Sequence, residues 1–334
     1  MIQSKSKYYY TRLDNSGKRI YDSILNAWES HNREPSFIKN PLGCKVSTSK
    51  IVEYISYDNP GLFFIDFSQF IVRDTYLKTT IQANYHFSDR QIRDIENQLQ
   101  NAVANLMSKY PFDKMDQYDK ELALHDYLAQ TVSYADEGHN NSSASLIGAL
   151  LIHKAVCEGY AKTYKLLCDL LGISCVVVGG RADPMDRPEE SHVWNIVKLN
   201  GICSHVDVTW DSTLRTDNDP CYDHFNITDD DIGQDHFWDR NLLPQCSSMK
   251  FNYFVRNGSY AAGATELEEF IVSELLAGKR KVYLKCNVKC GDESQVMNKV
   301  QKLIANDSRL SKFRYRSMTL NYSPVRNTIR LVFI

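Results

Sequence analysis

The 334-residue sequence predicts an α+β fold in three parts. Three observations carry this. Apolar residues at helical spacing run through residues 88–132 and again from 157 to 171. A continuous apolar strand, "ISCVVVGG", and a pair of strands around Asn200-Gly201 then follow, so the strands cluster and pair antiparallel. After about residue 255 the pattern restarts as a β-α-β-β module. The expected boundaries are 1–86 for an N-terminal α+β region, 87–250 for a central domain and 255–334 for the C-terminal module.

Each element has a local reason. Residues 18–31 place Ile20, Tyr21, Ile24, Leu25 and Trp28 on one helical face. "STSKIVEYISYDNPG" is a short capped helix stopped at Asn59-Pro60-Gly61. Residues 62–73 and 75–86 are β-branched and aromatic, as two antiparallel strands require. Ser88 and Gln91 form a capping box for a long helix whose buried stripe is Ile92, Ile95, Leu99, Val103 and Leu106. "DQYDKELALHDYLAQTVSY" is a further helix, followed by the polar break "ADEGHNNSSAS". The helix opened by Cys157 closes at Gly172, a residue suited to the left-handed position after a helix. Gly179-Gly180 is expected to turn the chain and 181–191 to be a polar loop. In the C-terminal module Thr265 and Glu268 are expected to cap a helix through Leu276. "KVYLKCNVK" is a strand, "ESQVMNKVQKLIAN" a helix, and "FRYRSMTL" with "NTIRLVFI" a final hairpin.

Composition excludes several classes. The chain is 43% hydrophobic and 24% charged, enough apolar residue for a sizeable core. A net charge of -2 without a long basic block gives no footprint for nucleic acid or membrane partners. No apolar run approaches the about 18 residues of a membrane-spanning helix, and "MIQSKSKYYYTRL" lacks a signal-type apolar stretch. A cytoplasmic location is therefore expected, although a trimmed secreted chain would have the same sequence. The nine cysteines are scattered and none has C-x-x-C spacing, so most are expected to be buried free thiols. Cys286 and Cys290, four apart, are a weak metal signal.

Three residues converge on one chemistry. Cys157 opens a helix, where unpaired N–H groups and the dipole favour a thiolate. His192 opens a strand on the face it shares with Trp194 and Ile196, and histidine is the natural base for a thiol. Asp207, in "SHVDVTWD", is expected within the next strand, where a buried carboxylate needs a partner. Taken singly, these are an inert thiol, a surface histidine and an aspartate paired with a cation such as Arg181. Taken together, the Asn200-Gly201 hairpin brings His192 and Asp207 to similar distances from one turn, so that the carboxylate orients the imidazole.

"AVCEGYAKTYKLLCDLLGI", "HVWNIVKLNG" and "HVDVTWD" resemble the three motifs of the transglutaminase-like superfamily, closest to its bacterial members. "LHDYLAQTVSY" and "FNITDDDIGQDHFWD" extend the resemblance over roughly 85–245. It implies a papain-like core of helices packed on an antiparallel sheet. It also implies a triad of Cys157 as nucleophile, His192 as general base and acid, and Asp207 as the orienting carboxylate. One departure is Gly201-Ile202-Cys203-Ser204, where members often carry a Gly-Lys-Trp-Tyr type of segment.

The expected function is cysteine-dependent acyl transfer on peptide or glutamine amide bonds through a thioester, with hydrolysis favoured. The partner is then a protein or peptide substrate, and no cofactor or metal is called for. A cross-linking transglutaminase, a non-catalytic protein-binding module and a glycan-removing amidase are the alternatives. The Cys157 N–H is one candidate oxyanion donor. His205 is set aside in favour of His192, which carries the His-x-Trp-Asn motif. His224 and His236, among several aspartates, are assigned to a solvated acidic loop, and Trp194 and Trp210 to the core or the cleft wall.

Overall fold

The computed structural model describes residues 4–38, 44–135, 140, 142–183, 189–215, 219–288 and 290–334. The polar break after Ala135 and the loop of 181–191 lie partly outside them. Among the described residues no helix is long and apolar enough to cross a membrane.

The N-terminal region contains α1 (Asn15–Glu29), β1 (Ser36–Ile38), α2 (Thr48–Asp58), β2 (Ile65–Asp74) and β3 (Lys78–Tyr85). Its three strands form an antiparallel sheet in the order β1-β3-β2. The short β1 has no counterpart in the sequence reading, because three residues show no periodicity. Tyr21, Ile24, Leu25 and Trp28 of α1 are buried, as the helical spacing requires. They join one continuous hydrophobic core with the central region rather than forming a core of their own.

The central region opens with α3 (Asp89–Lys109), which carries the expected reciprocal capping box of Ser88 and Gln91, and α4 (Gln117–Thr131), capped by Asp116. Helix α5 (Cys157–Leu170) is buried from Gly159 through Asp169 and packs on the sheet behind it. That sheet comprises β4 (Ser174–Ala182), β5 (Glu190–Leu199), β6 (Ile202–Val206), β7 (Phe225–Ile227) and β8 (His236–Phe237). All neighbours are antiparallel, in the order β8-β4-β5-β6-β7. The β5–β6 turn has φ of 47° at Asn200 and 87° at Gly201, the left-handed pair that an Asn-Gly turn supplies.

The expected turn at Gly179-Gly180 is not there. Strand β4 continues through both glycines to Ala182. Their role is close approach. A Cβ on Gly180 would lie 2.3 Å from the Phe237 carbonyl oxygen and 2.8 Å from the Trp194 ring, so any larger residue would push β8 away from the sheet.

The C-terminal region contains β9 (Tyr260–Ala261), α7 (Ala264–Leu276), β10 (Lys281–Cys286), α8 (Glu293–Asn306), β11 (Met318–Ser323) and β12 (Thr328–Phe333). Its four-stranded sheet runs β9-β10-β12-β11, parallel only between β9 and β10. It has a hydrophobic core of its own, built on residues such as Ile271, Val282, Val296 and Leu331. Thr265 and Glu268 do not cap α7. Gly263 occupies the cap position, and the Glu266 carboxylate accepts from the Ala262 N–H at 2.7 Å instead. The Cys286 and Cys290 sulfurs stand 3.4 Å apart as free thiols inside this module.

Candidate active site

The central sheet and α5 bring Cys157, His192 and Asp207 together. Cys157 is the first residue of α5, half-exposed, preceded by Val156 in extended conformation. Its helix start is fixed by close backbone packing: Val156 N–H donates to the Ser143 carbonyl at 3.0 Å, and a Cβ on Gly159 would lie 2.2 Å from that same oxygen. Only glycine allows the 142–145 segment to approach the first turn this closely. The Cys157 side chain stands close enough to His192 to contribute to the upward shift of the imidazole pKa.

His192 lies on β5, paired with Gly180 of β4. Its Nε2 is 2.7 Å from Asp207 Oδ2, and both side chains are buried. Asp207 is not inside a strand, contrary to the sequence expectation. Strand β6 ends at Val206, and Asp207 is the N-cap of α6 (Val208–Thr213). Its Oδ1 accepts from the N–H groups of Thr209 at 3.0 Å and Trp210 at 3.2 Å, leaving Oδ2 free for imidazole. A capping aspartate is held at both oxygens, which fixes its orientation better than a strand position would. The hairpin register places Asp207 just past the last β5–β6 pair, Asn195↔Val206, so it meets His192 diagonally.

Two causes oppose each other at His192. Burial favours the neutral ring, but the Asp207 charge and hydrogen bond, with a further contribution from Cys157, push its pKa up to about 10. For Asp207, burial favours the neutral acid, but the His192 charge and the hydrogen bonds of His192 and His236 hold it well below the usual carboxylate range.

His236 is the residue that sequence reasoning misplaced. It is buried rather than part of a solvated acidic loop, and its Nε2 is 3.1 Å from Asp207 Oδ2. The sheet therefore curves enough for the outermost strand β8 to reach the end of β6, and Gly180 leaves the room. His236 Nδ1 is 2.6 Å from Asp235 Oδ1. Each ring nitrogen of His236 thus faces a carboxylate oxygen. His224 is buried too: its Nδ1 is 3.0 Å from Asp211 Oδ1, and Asp211 also meets His125 Nε2 at 3.1 Å. These partners are far apart in sequence, and no periodicity links them.

His205 has a separate duty. The Trp194 indole donates to its Nδ1 at 3.0 Å, so Nε2 carries the proton that goes to Asp229 at 2.8 Å. Arg181, considered above as a partner for Asp207, pairs with Glu189 at 2.6 Å. Trp194 is core, whereas Trp210 lines a pocket of about 440 Å³ together with His192, His224, Leu214 and Arg326.

Among the described residues, two clusters offer metal-ligand atoms within 4.8 Å of one another: His192, Asp207 and His236, and His205, Asp229 and Cys246. Neither fits a cation. In the first, both imidazole Nε2 atoms already hydrogen-bond the same Asp207 oxygen. In the second, the tautomer fixed by Trp194 puts a proton on the nitrogen that would have to bind.

The shifts above set a pH dependence of stability. A histidine raised in the folded state stabilises fully below its unfolded pKa of about 6.5 and loses that contribution as pH rises through the folded value. For His192 that loss runs to about 10, and for His125, where burial is outweighed by Asp126 and Asp211, to about 9. The melting temperature is expected to fall between about pH 7 and 9, before tyrosines titrate. Scanning calorimetry of Asp207→Asn should show a flatter alkaline limb. An identical limb would contradict the His192–Asp207 linkage.

A family model described as the transglutaminase-like superfamily matches residues 106–210. The kyphoscoliosis peptidases of Mus musculus and Homo sapiens are each 35% identical over 72 residues, 20% of this chain and 11% of theirs. The chain thus spans only a small part of the curated relatives it matches. A solved crystal structure of a TGase has a TM-score of 0.32 and 13% identity, covering 46% of this chain and 47% of that one.

Proposed function

We propose, from the premise that residues 106–210 belong to the transglutaminase-like superfamily, that this protein is a cysteine-dependent acyl-transfer enzyme acting on peptide or glutamine amides. The observation that carries the reading is a thiol at a helix start, within reach of a buried histidine whose Nε2 is held 2.7 Å from a buried carboxylate.

In this reading His192 takes the proton of the Cys157 thiol as the sulfur attacks the amide carbonyl carbon, forming a C–S bond and an oxyanion. The Cys157 N–H, at a helix start without an intrahelical acceptor, is the candidate donor to that oxygen. His192 gives its proton to the leaving nitrogen, the C–N bond breaks, and a thioester remains. Water or an amine then attacks the thioester. His192 takes the proton of that nucleophile, and the thiolate leaves. Asp207 keeps the imidazole oriented throughout. Hydrolysis is the favoured outcome, in keeping with the curated relatives being named peptidases.

The test is a casein digest incubated with the full chain in oxygen-18 water, with and without butylamine. The expected products are carboxylates carrying oxygen-18. Predominant amine incorporation would make it a transamidase, and no enzyme-dependent product of either kind would favour a protein-binding module.

A further inference from the structure

The C-terminal module reaches into this site. The turn between β11 and β12 places Ser323, Val325 and Arg326 in the wall of the pocket that also holds His192 and Trp210. Arg326 is only 1% exposed. Its Nη1 donates to the Asp231 carbonyl at 2.8 Å, and its Nη2 donates to Asp235 Oδ1. That same Asp235 oxygen receives His236 Nδ1, and His236 Nε2 goes on to Asp207 Oδ2, which also holds His192. The groups follow one line: guanidinium, carboxylate, imidazole, carboxylate, imidazole, with the Cys157 thiol beyond it. Burial and the short separations make each link costly to break singly.

The turn does not float. Lys285 donates to the Arg326 carbonyl at 2.8 Å and reaches Asp231 at 3.2 Å. Tyr283 and Thr328 both donate to Asp223, at 2.6 and 2.9 Å, so one face of the module is fastened to the segment that follows α6. Part of the expected acidic loop is therefore a docking surface: Asp223, Asp231 and Asp235 are held by the module's cations and hydroxyls, whereas Asp229 pairs with His205.

We infer that Arg326 is a positioning residue for acyl transfer: by fixing Asp235 and His236, it holds Asp207 and His192 in the orientation that serves Cys157. The C-terminal module is then a structural part of the site. This rests on the reading of Cys157 as the nucleophile. Without the guanidinium, Asp235 is a buried carboxylate with one partner fewer, and His236 is free to turn away from Asp207. His192 then shares Asp207 with no second donor, and its link to Cys157 loosens. The titratable groups facing this line are Cys157 from α5, His192 from β5, Asp207 and Asp211 from α6 and its cap, His224, and Asp235 with His236 from β8 and its lead-in. Asp183 and Glu190 line the adjoining pocket.

The test is the rate of iodoacetamide alkylation of Cys157 against pH, resolved from the other cysteines by peptide mass spectrometry, in the full chain. Arg326→Ala is expected to slow it near neutral pH by about tenfold, the equivalent of one pKa unit, and to displace the profile to higher pH. Arg326→Lys should recover part of the rate, because it keeps a cation but not the two-pronged contact. Asp235→Asn should displace the profile in the same direction, and serves if Arg326→Ala does not fold. Tyr283→Phe, which removes the hydroxyl that holds Asp223, the Tyr222 N–H and the Cys221 sulfur, all away from this line, should lower the melting temperature and leave the profile in place. A folded Arg326→Ala or Asp235→Asn with the wild-type profile would overturn the inference while leaving the triad reading intact. A wild-type Cys157 that reacts no differently from an ordinary thiol would overturn both.

Discussion

Asp207→Asn is expected to lower acyl transfer by about four orders of magnitude while leaving a folded protein. The substitution separates the two jobs of the side chain. An asparagine Oδ1 can still accept from the Thr209 and Trp210 N–H groups, so the start of α6 survives. The other position changes from an acceptor to an N–H₂ donor, and it faces the Nε2 atoms of both His192 and His236. The imidazoles lose a shared anion and meet a like donor. Stability should fall by about 1–3 kcal/mol for the unmet buried donors. Single-turnover rates and a melting curve together check this. A loss of activity below tenfold would mean that Asp207 is a helix cap and nothing more.

Cys157→Ala is expected to have the largest effect on chemistry and among the smallest on the fold. Removing a covalent nucleophile typically costs about 10⁴–10⁶ in rate, with only binding and oxyanion contacts left. Cys157 is half-exposed at the first position of α5 and leaves no core cavity, so the cost in stability should stay within about 0.5 kcal/mol. Cys157→Ser should be similarly inactive, because a hydroxyl is a far poorer nucleophile than a thiol beside the same histidine. Retention of wild-type turnover in either variant would move the chemistry elsewhere in the molecule.

What the sequence disclosed depended on the range of the forces involved. Helices such as α3 and α5 were legible because periodicity and caps are local, and the β5–β6 hairpin because Asn200-Gly201 dictates its own backbone. Cys157, His192 and Asp207 were legible as candidates because each carries a local anomaly: a thiol at a helix start, a histidine before an apolar run, a carboxylate among valines. The local anomaly also misled. Alternation suggested that Asp207 continued its strand, whereas a capping aspartate followed by Val-Thr-Trp starts a helix. His224 and His236 were hidden for the opposite reason. Their surroundings are rich in aspartate, which argues for solvent, but His236 meets Asp235 and Asp207, His224 meets Asp211, and both rings are buried. The links to Asp207 and Arg326 span 29 and 91 residues or more and leave no short-range trace. Gly179-Gly180 suggests a turn in the sequence because glycine marks turns more often than it marks close packing, and only the approach of Phe237 and Trp194 shows the purpose of Gly180.

The central claim is that one sulfur among nine becomes acylated. The direct measurement is brief exposure of the wild-type chain and Cys157→Ala to p-nitrophenyl acetate, followed by intact-mass and peptide-mapping mass spectrometry. The account predicts a single acetyl group on Cys157, lost on standing in water and absent from Cys157→Ala. Acetyl groups scattered over several cysteines or lysines, in the same pattern with and without Cys157, would contradict it.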